Sequence, residues 1–164
     1  MASPATSTEH GLCPTVINDE RIVLMGLLTE VDGKLRRTLG AELEAACGLP
    51  LVWFEVLIRT IRSEEGRLTM SEVAEQTVHT SGGTTRLIDR IEEAGYVRRA
   101  SCPNDRRTTY VEVTPEGAAK LEEATSIQLG HLETHLTSKL TEEERTVLFS
   151  ALTKLNGGPA TCAR

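Results

Sequence analysis

Residues 80–113, TSGGTTRLIDRIEEAGYVRRASCPNDRRTTYVEV, decide the fold. The stretch opens on small polar residues and continues as a helical pattern, with Leu87, Ile88, Ile91 and Ala94 inward and Arg86, Asp89, Arg90 and Glu93 outward, up to Gly95. Residues 96–100 and 108–113 are strand-like, and the polar tip between them, 101–107, contains Pro103 and Asn104. This is a helix followed by a hairpin, or wing. Six of the chain's eighteen Lys and Arg residues fall between Arg86 and Arg107. Arg98, Arg99, Arg106 and Arg107 lie on or beside the hairpin, which suggests a surface built to meet phosphates.

Just upstream, Thr69-Met70-Ser71-Glu72 has the spacing of a capping box, with Thr69 bonding the third amide and Glu72 reaching back. A short helix carrying Val73, Ala74 and Val78 follows, then a turn at His79-Thr80. Two short helices joined by a tight turn match a helix-turn-helix. Such a motif places the N-terminal residues of its second helix near base edges in the major groove, where small side chains let the backbone come close. Ser81, Gly82, Gly83, Thr84, Thr85 and Arg86 fit that need: the hydroxyls suit phosphates or bases, and Arg86 can fork onto a guanine. Arg90, Thr69 and Ser71 complete the candidate contacts on the two helices. The plain alternative is a capped surface helix with tolerated glycines. At the wing tip, Asp105 can pair with one of Arg106 and Arg107 and leave guanidinium groups projecting, a shape suited to the narrow, electronegative minor groove. Charged hairpin tips are common on ordinary surfaces, but helix, turn, helix and wing in that order favour DNA binding.

The flanks read as helices. From Asn18, a plausible N-cap followed by Asp19 and Glu20, the residues Leu24, Leu28, Val31, Leu35, Leu39, Leu43 and Ala46 form one apolar stripe. Gly26, Gly33 and Gly40 recur within it, as expected for close packing against another helix or for a kink. Gly48 and Pro50 end this helix and start the next, where Leu51, Val52, Phe54, Val56, Leu57, Ile58 and Ile61 should form the centre of the core up to about Ser63. Residues 64–66 read as a turn, and 67–69 as a short strand. Thr114 and Pro115 begin a helix carrying Ala118, Leu121, Ala124, Ile127, Leu129, Leu132 and Leu136. A second capping box, Thr141 to Glu144, opens the last helix with Val147, Leu148, Ala151, Leu152 and Leu155.

The expected class is mainly α (α+β), a winged helix-turn-helix with N- and C-terminal dimerisation helices. Residues 1–17 are an expected disordered tail, 18–48 and 114–156 the dimerisation helices, 49–113 the DNA-binding region and 157–164 a C-terminal tail. The terminal helices carry more apolar surface than a small winged domain can cover, so a second copy is the natural partner.

The whole chain sets bounds on function. It has 164 residues, 39% hydrophobic and 26% charged, with a formal charge of −6. That charge excludes coating nucleic acid with the entire surface, not local binding by one face. Aromatic residues are 3%, too few for a stacking platform for single strands. The N-terminus has no basic start and apolar core of a secretory signal, and no apolar run approaches a bilayer's thickness, so a cytoplasmic protein without a membrane partner is expected. Cys13, Cys47, Cys102 and Cys162 are irregularly spaced and read as reduced thiols. No G-x-S-x-G elbow, phosphate loop or H-E-x-x-H is present, so no enzyme, cofactor or metal is expected.

These residues resemble the MarR (multiple antibiotic resistance regulator) transcription factors. The similarity covers LTMSEVAEQT at 68–77, TTRLIDRIEEAGYVRR at 84–99, the D-x-R tip of Asp105 and Arg107, and V-x-V-T-x-x-G at 111–117. It implies a two-fold dimer with interlocked terminal helices, binding a pseudo-palindromic operator in double-stranded DNA, usually as a repressor. It also implies a small-molecule effector, often an aromatic acid, in a cleft that Arg36, Arg37, Trp53, Phe54, Arg59 and His79 could line. Core packing for Trp53 and Phe54 and solvation of the arginines is the alternative for that set. Redox sensing in similar proteins uses an N-terminal cysteine near tyrosines. Cys13 precedes a proline and the first helix, while Tyr96 and Tyr110 are on the wing, so the pattern departs here. Cys102, among arginines, is a second thiol to weigh. His131 and His135 share a helix face and can chelate zinc only with further ligands. A winged-helix protein-interaction module without DNA binding remains the alternative function, beside a metal- or redox-responsive regulator.

Overall fold

The computed structural model describes residues 17–77, 81–101 and 108–158. Its elements are α1 (Glu20–Cys47), α2 (Leu51–Arg62), β1 (Arg67–Thr69), α3 (Met70–Thr77), α4 (Ser81–Glu93), β2 (Val97–Ser101), β3 (Thr109–Val113), α5 (Pro115–His135), a 3-10 turn (Thr137–Lys139) and α6 (Glu142–Leu155). Two compact units divide the chain, Met1–Arg37 and Thr38–Arg164. Among the described residues no helix is long and apolar enough to cross a membrane.

In the first unit the helix start differs from expectation by one residue. Asp19, not Asn18, caps α1: its Oδ1 accepts the Arg21 amide at 3.0 Å, and its carbonyl accepts the amides of Ile22 and Val23. The Arg21 guanidinium holds the Asp19 carboxyl below its ordinary value. Leu24, Leu28 and Val31 of the expected apolar stripe are exposed in the single chain, together with Ile22, Val23, Met25 and Leu27.

The second unit contains the core. Leu43, Leu49, Phe54, Val56, Leu57, Leu68, Val73, Ile88, Ile91, Val97, Val111, Leu121 and Ala124 form one buried cluster. The helix expected at its centre is there as α2, whose Val56 and Leu57 are almost fully buried, although Ile61 is exposed. Gly40 has a packing reason: a Cβ there would lie 3.3 Å from Leu51 Cβ, which brings α1 close to α2. Gly26 has none within 4 Å, and Gly33 faces only the Arg37 side chain.

β1, β3 and β2 form an antiparallel sheet in that order. The wing register pairs Val97 with Val113, Arg99 with Val111 and Ser101 with Thr109, while β1 pairs Leu68 with Val111. Period-2 alternation therefore puts Val97, Val111 and Leu68 on the core face. α5 begins against the hairpin's base. Thr114 accepts the Gly117 amide at 3.0 Å and donates to the Gly95 carbonyl at 2.6 Å. Of the apolar set expected on α5, Leu121 and Ala124 are buried, whereas Leu129 is 62% exposed and its neighbour Gln128 is buried instead. The second capping box is present, with Glu144 Oε2 accepting the Thr141 amide at 2.8 Å and Thr141 Oγ1 accepting the Glu144 amide at 3.2 Å.

Candidate nucleic-acid interface

α3 begins as its sequence requires. Thr69 Oγ1 accepts the Glu72 amide at 3.2 Å, and the Glu72 carboxylate accepts the Thr69 amide at 2.6 Å. Those bonds to Thr69 hold the Glu72 carboxyl below its ordinary value. Thr69 is half-buried and Ser71 is exposed at the start of the helix. On its inner side Val73 is 1% exposed and Thr77 8%, which seats α3 on the core. Arg59, on α2, donates through Nη1 to the Gln76 carbonyl at the end of α3.

α4 carries the residues expected to meet DNA. Gly82, Gly83, Thr85, Arg86 and Arg90 are exposed, while Ile88 and Ile91 are buried. A Cβ on Gly82 would meet nothing within 4 Å, so the chain's own packing does not require a glycine there. Thr84 is the correction. It is 1% exposed because it falls one turn before Ile88 on the inner face, so its hydroxyl is not a surface contact. Ala94, expected inward, is exposed. Ser81 is the first residue of α4.

The hairpin's cations also differ from expectation. Arg98 pairs across the strands with Glu112, Nη2 to Oε2 2.8 Å. Arg99 turns inward and bonds α4: Nη2 to Asp89 Oδ1 at 2.7 Å, Nη1 to Glu92 Oε2, and its own amide to Glu92 Oε1 at 2.8 Å. Neither is a bare cation awaiting phosphate. On β1, Arg67 stacks over the Tyr110 ring at 4.0 Å and pairs with Glu65 at 2.8 Å. Asp105, Arg106 and Arg107, the expected minor-groove tip, lie outside the described residues, as do Val78, His79, Cys13, Cys102 and Cys162.

Each described residue suggested for an effector cleft has its own local setting. Phe54 belongs to the core. Trp53 is half-buried and meets Tyr96 edge-on, ring centroids 6.3 Å apart. Arg59 is occupied by the Gln76 carbonyl. Arg36 and Arg37 are exposed on α1 in the first unit. On α5, His135 Nε2 is 2.8 Å from Glu42 Oε1, and His131 Nδ1 is 3.8 Å from Glu42 Oε2. Among the described residues no group of three His, Cys, Asp or Glu is arranged to hold a metal ion.

Three features escape a reading of the sequence: the Arg99 clamp, the Glu42 partner of the two histidines, and the packing of Gly117 against the Tyr96 carbonyl. The first had a signal, since Asp89 and Glu92 are one turn apart and Arg99, two residues after Val97, falls on the same strand face. The second had none, because Glu42 and His135 are far apart in sequence.

A helix-turn-helix whose second helix is followed by a hairpin on the same core defines a winged helix-turn-helix protein. The model of the MarR family matches residues 48–108. An HTH-type transcriptional regulator of Bacillus cereus is 35% identical over 103 residues, 63% of this chain and 67% of that protein. PapX of Escherichia coli, also an HTH-type transcriptional regulator, is 31% identical over 122 residues, 74% of this chain and 73% of PapX. Among solved structures, a mutant MarR from E. coli complexed with operator DNA aligns with TM-score 0.70 and 30% identity, covering 84% of this chain and 96% of that one. Sco3205, a MarR family transcriptional regulator from Streptomyces coelicolor in complex with DNA, aligns with TM-score 0.72 and 25% identity, covering 87% and 94%. The chain belongs to the MarR family of transcriptional regulators. It is a regulator, not an enzyme.

Proposed function

We propose that the protein is a dimeric, sequence-specific repressor that binds a pseudo-palindromic operator in double-stranded DNA, acts in the cytoplasm and is released by a small ligand. The observation that carries DNA binding is the outer surface of α4. Gly82, Gly83, Thr85, Arg86 and Arg90 are exposed on a helix whose opposite side is locked into the core by Ile88 and Ile91. The complexes of two similar proteins with DNA support the same reading. In it, Arg86 reads a base edge, Arg90, Thr85 and the N-terminal residues of α3 and α4 hold phosphates, and Asp105, Arg106 and Arg107 enter the minor groove.

The dimer is supported by apolar surface. Ile22, Val23, Leu24, Met25, Leu27, Leu28 and Val31 on α1, and Val147, Leu148, Phe149, Leu152 and Leu155 on α6, are exposed in a single copy. Surface of that kind is buried by a second, symmetric copy. The two terminal segments are accordingly dimerisation elements, and the region between them contacts DNA. A ligand that changes the distance between the two copies of α4 would release the operator. Aromatic carboxylates are the class to titrate, with Trp53 as the residue to vary.

Binding to duplex DNA over a range of salt tests the reading. A repressor making several phosphate contacts loses affinity steeply as salt rises. No binding to any duplex at low salt would instead identify a protein-interaction module.

A further inference from the structure

We propose that Arg99 is a positioning residue that fixes the wing to α4, so that helix and hairpin meet DNA as one rigid piece. The proposal rests on the DNA-binding reading above and adds a role for a cation that does not itself touch DNA.

The register places Arg99 on the sheet face shared by Val97 and Val111, both of them buried. It follows Val97 on that face and lies directly opposite Val111, and a side chain there must either end in solvent or find polar partners on α4. Arg99 finds them. One guanidinium nitrogen lies 2.7 Å from Asp89 Oδ1 and 3.4 Å from the Thr85 carbonyl oxygen. The other bonds Glu92 Oε2, and Glu92 Oε1 accepts the Arg99 amide at 2.8 Å. One residue of β2 thus holds about two turns of α4 through a planar fork that lysine cannot reproduce. Arg98, its neighbour, pairs among the described residues with Glu112 of its own hairpin, with 71% of its side chain exposed.

The network separates two effects that usually coincide. If Arg99 served only as local positive charge, removing a carboxylate beside it would strengthen DNA binding. If it positions the wing, removing Glu92 loosens the hairpin and weakens binding despite one fewer negative charge. Glu92→Ala, in a residue type that favours helix, therefore decides the sign.

The experiment measures duplex binding, footprints and thermal midpoint for the full-length protein and for Arg99→Gln, Arg99→Lys and Glu92→Ala, well below each midpoint. Expected are losses of about tenfold for Arg99→Gln and Glu92→Ala, partial recovery in Arg99→Lys, and loss of minor-groove protection with major-groove protection retained. Tighter or unchanged binding by Glu92→Ala, or equal loss of both protections, overturns the proposal. If the unaltered protein protects no duplex, the regulator reading has failed, and hydrogen exchange of the free protein decides this one. Exchange in 97–101 and 109–113 should then be about tenfold faster in Arg99→Gln, with 115–135 unchanged; equal protection overturns it.

Discussion

The carbonyl oxygen of Tyr96 lies 2.0 Å from the point that a Cβ on residue 117 would occupy. Only glycine lets the first turn of α5 lie against the turn at Gly95 and Tyr96 that follows α4. The backbone cannot easily move away, because the same carbonyl accepts the Thr114 amide at 3.0 Å and Thr114 Oγ1 donates to Gly95. Gly117→Ala should therefore destabilise the fold by about 1–3 kcal/mol. Urea unfolding followed by circular dichroism measures this, and a midpoint equal to that of the unaltered protein would show that the α5 start can shift freely.

The capping box of α3 gives a pH dependence. Glu72 is held below its ordinary value of 4.5 by the Thr69 amide and hydroxyl. A depressed carboxyl contributes stability that is present above its unfolded pKa and lost as pH falls through its folded pKa. Thermal midpoints between pH 6 and pH 3 should thus fall less in Glu72→Gln than in the unaltered protein. Thr69→Ala should cost about 1 kcal/mol at neutral pH.

On α4, exposure separates three substitutions. Arg86→Ala should weaken operator binding and relax sequence preference by about 1–3 kcal/mol. Gly82→Ala should leave the fold at least as stable, since nothing crowds the added methyl, while weakening DNA binding. Thr84→Val, altering a buried side chain, should leave the ratio of operator to random-duplex affinity unchanged. Equal ratios for all three proteins would remove Arg86 from a base-reading role.

The exposed apolar residues of α6 predict the oligomeric state. Phe149→Asp and Leu152→Asp each remove a side chain whose burial contributes about 1.5–3 kcal/mol, twice in a symmetric pair. Sedimentation at micromolar concentration should give a dimer for the unaltered protein and a shift toward monomer for both variants. A monomer in every case would remove the dimer.

Much of this fold is legible in the sequence because its signals are local. The capping boxes at Thr69 and Thr141, the proline after Thr114 and the alternation through Val97 and Val111 each act within a few residues, and each lies where its spacing puts it. Periodicity was less informative about which faces are covered. Leu24, Leu28 and Val31 have the same pattern as Leu39 and Leu43, but only the last two are buried; an apolar stripe does not say what covers it. Charge was misleading at Arg99. A count of cations records neither Asp89 nor Glu92 as its partners; the spacing of those two and the strand face of Arg99 point to them, and the hairpin's register brings them together. Thr84 shows the same limit on α4, where its small polar side chain suits a groove-facing position and a buried one equally well.

Selection of bound sequences from a random duplex pool tests the central claim most directly. A dimer with one α4 in each of two major-groove segments should enrich two inverted half-sites whose centres are about one helical turn, roughly 10 base pairs, apart. Enrichment of a single unpaired half-site, or of no sequence at all, would contradict it.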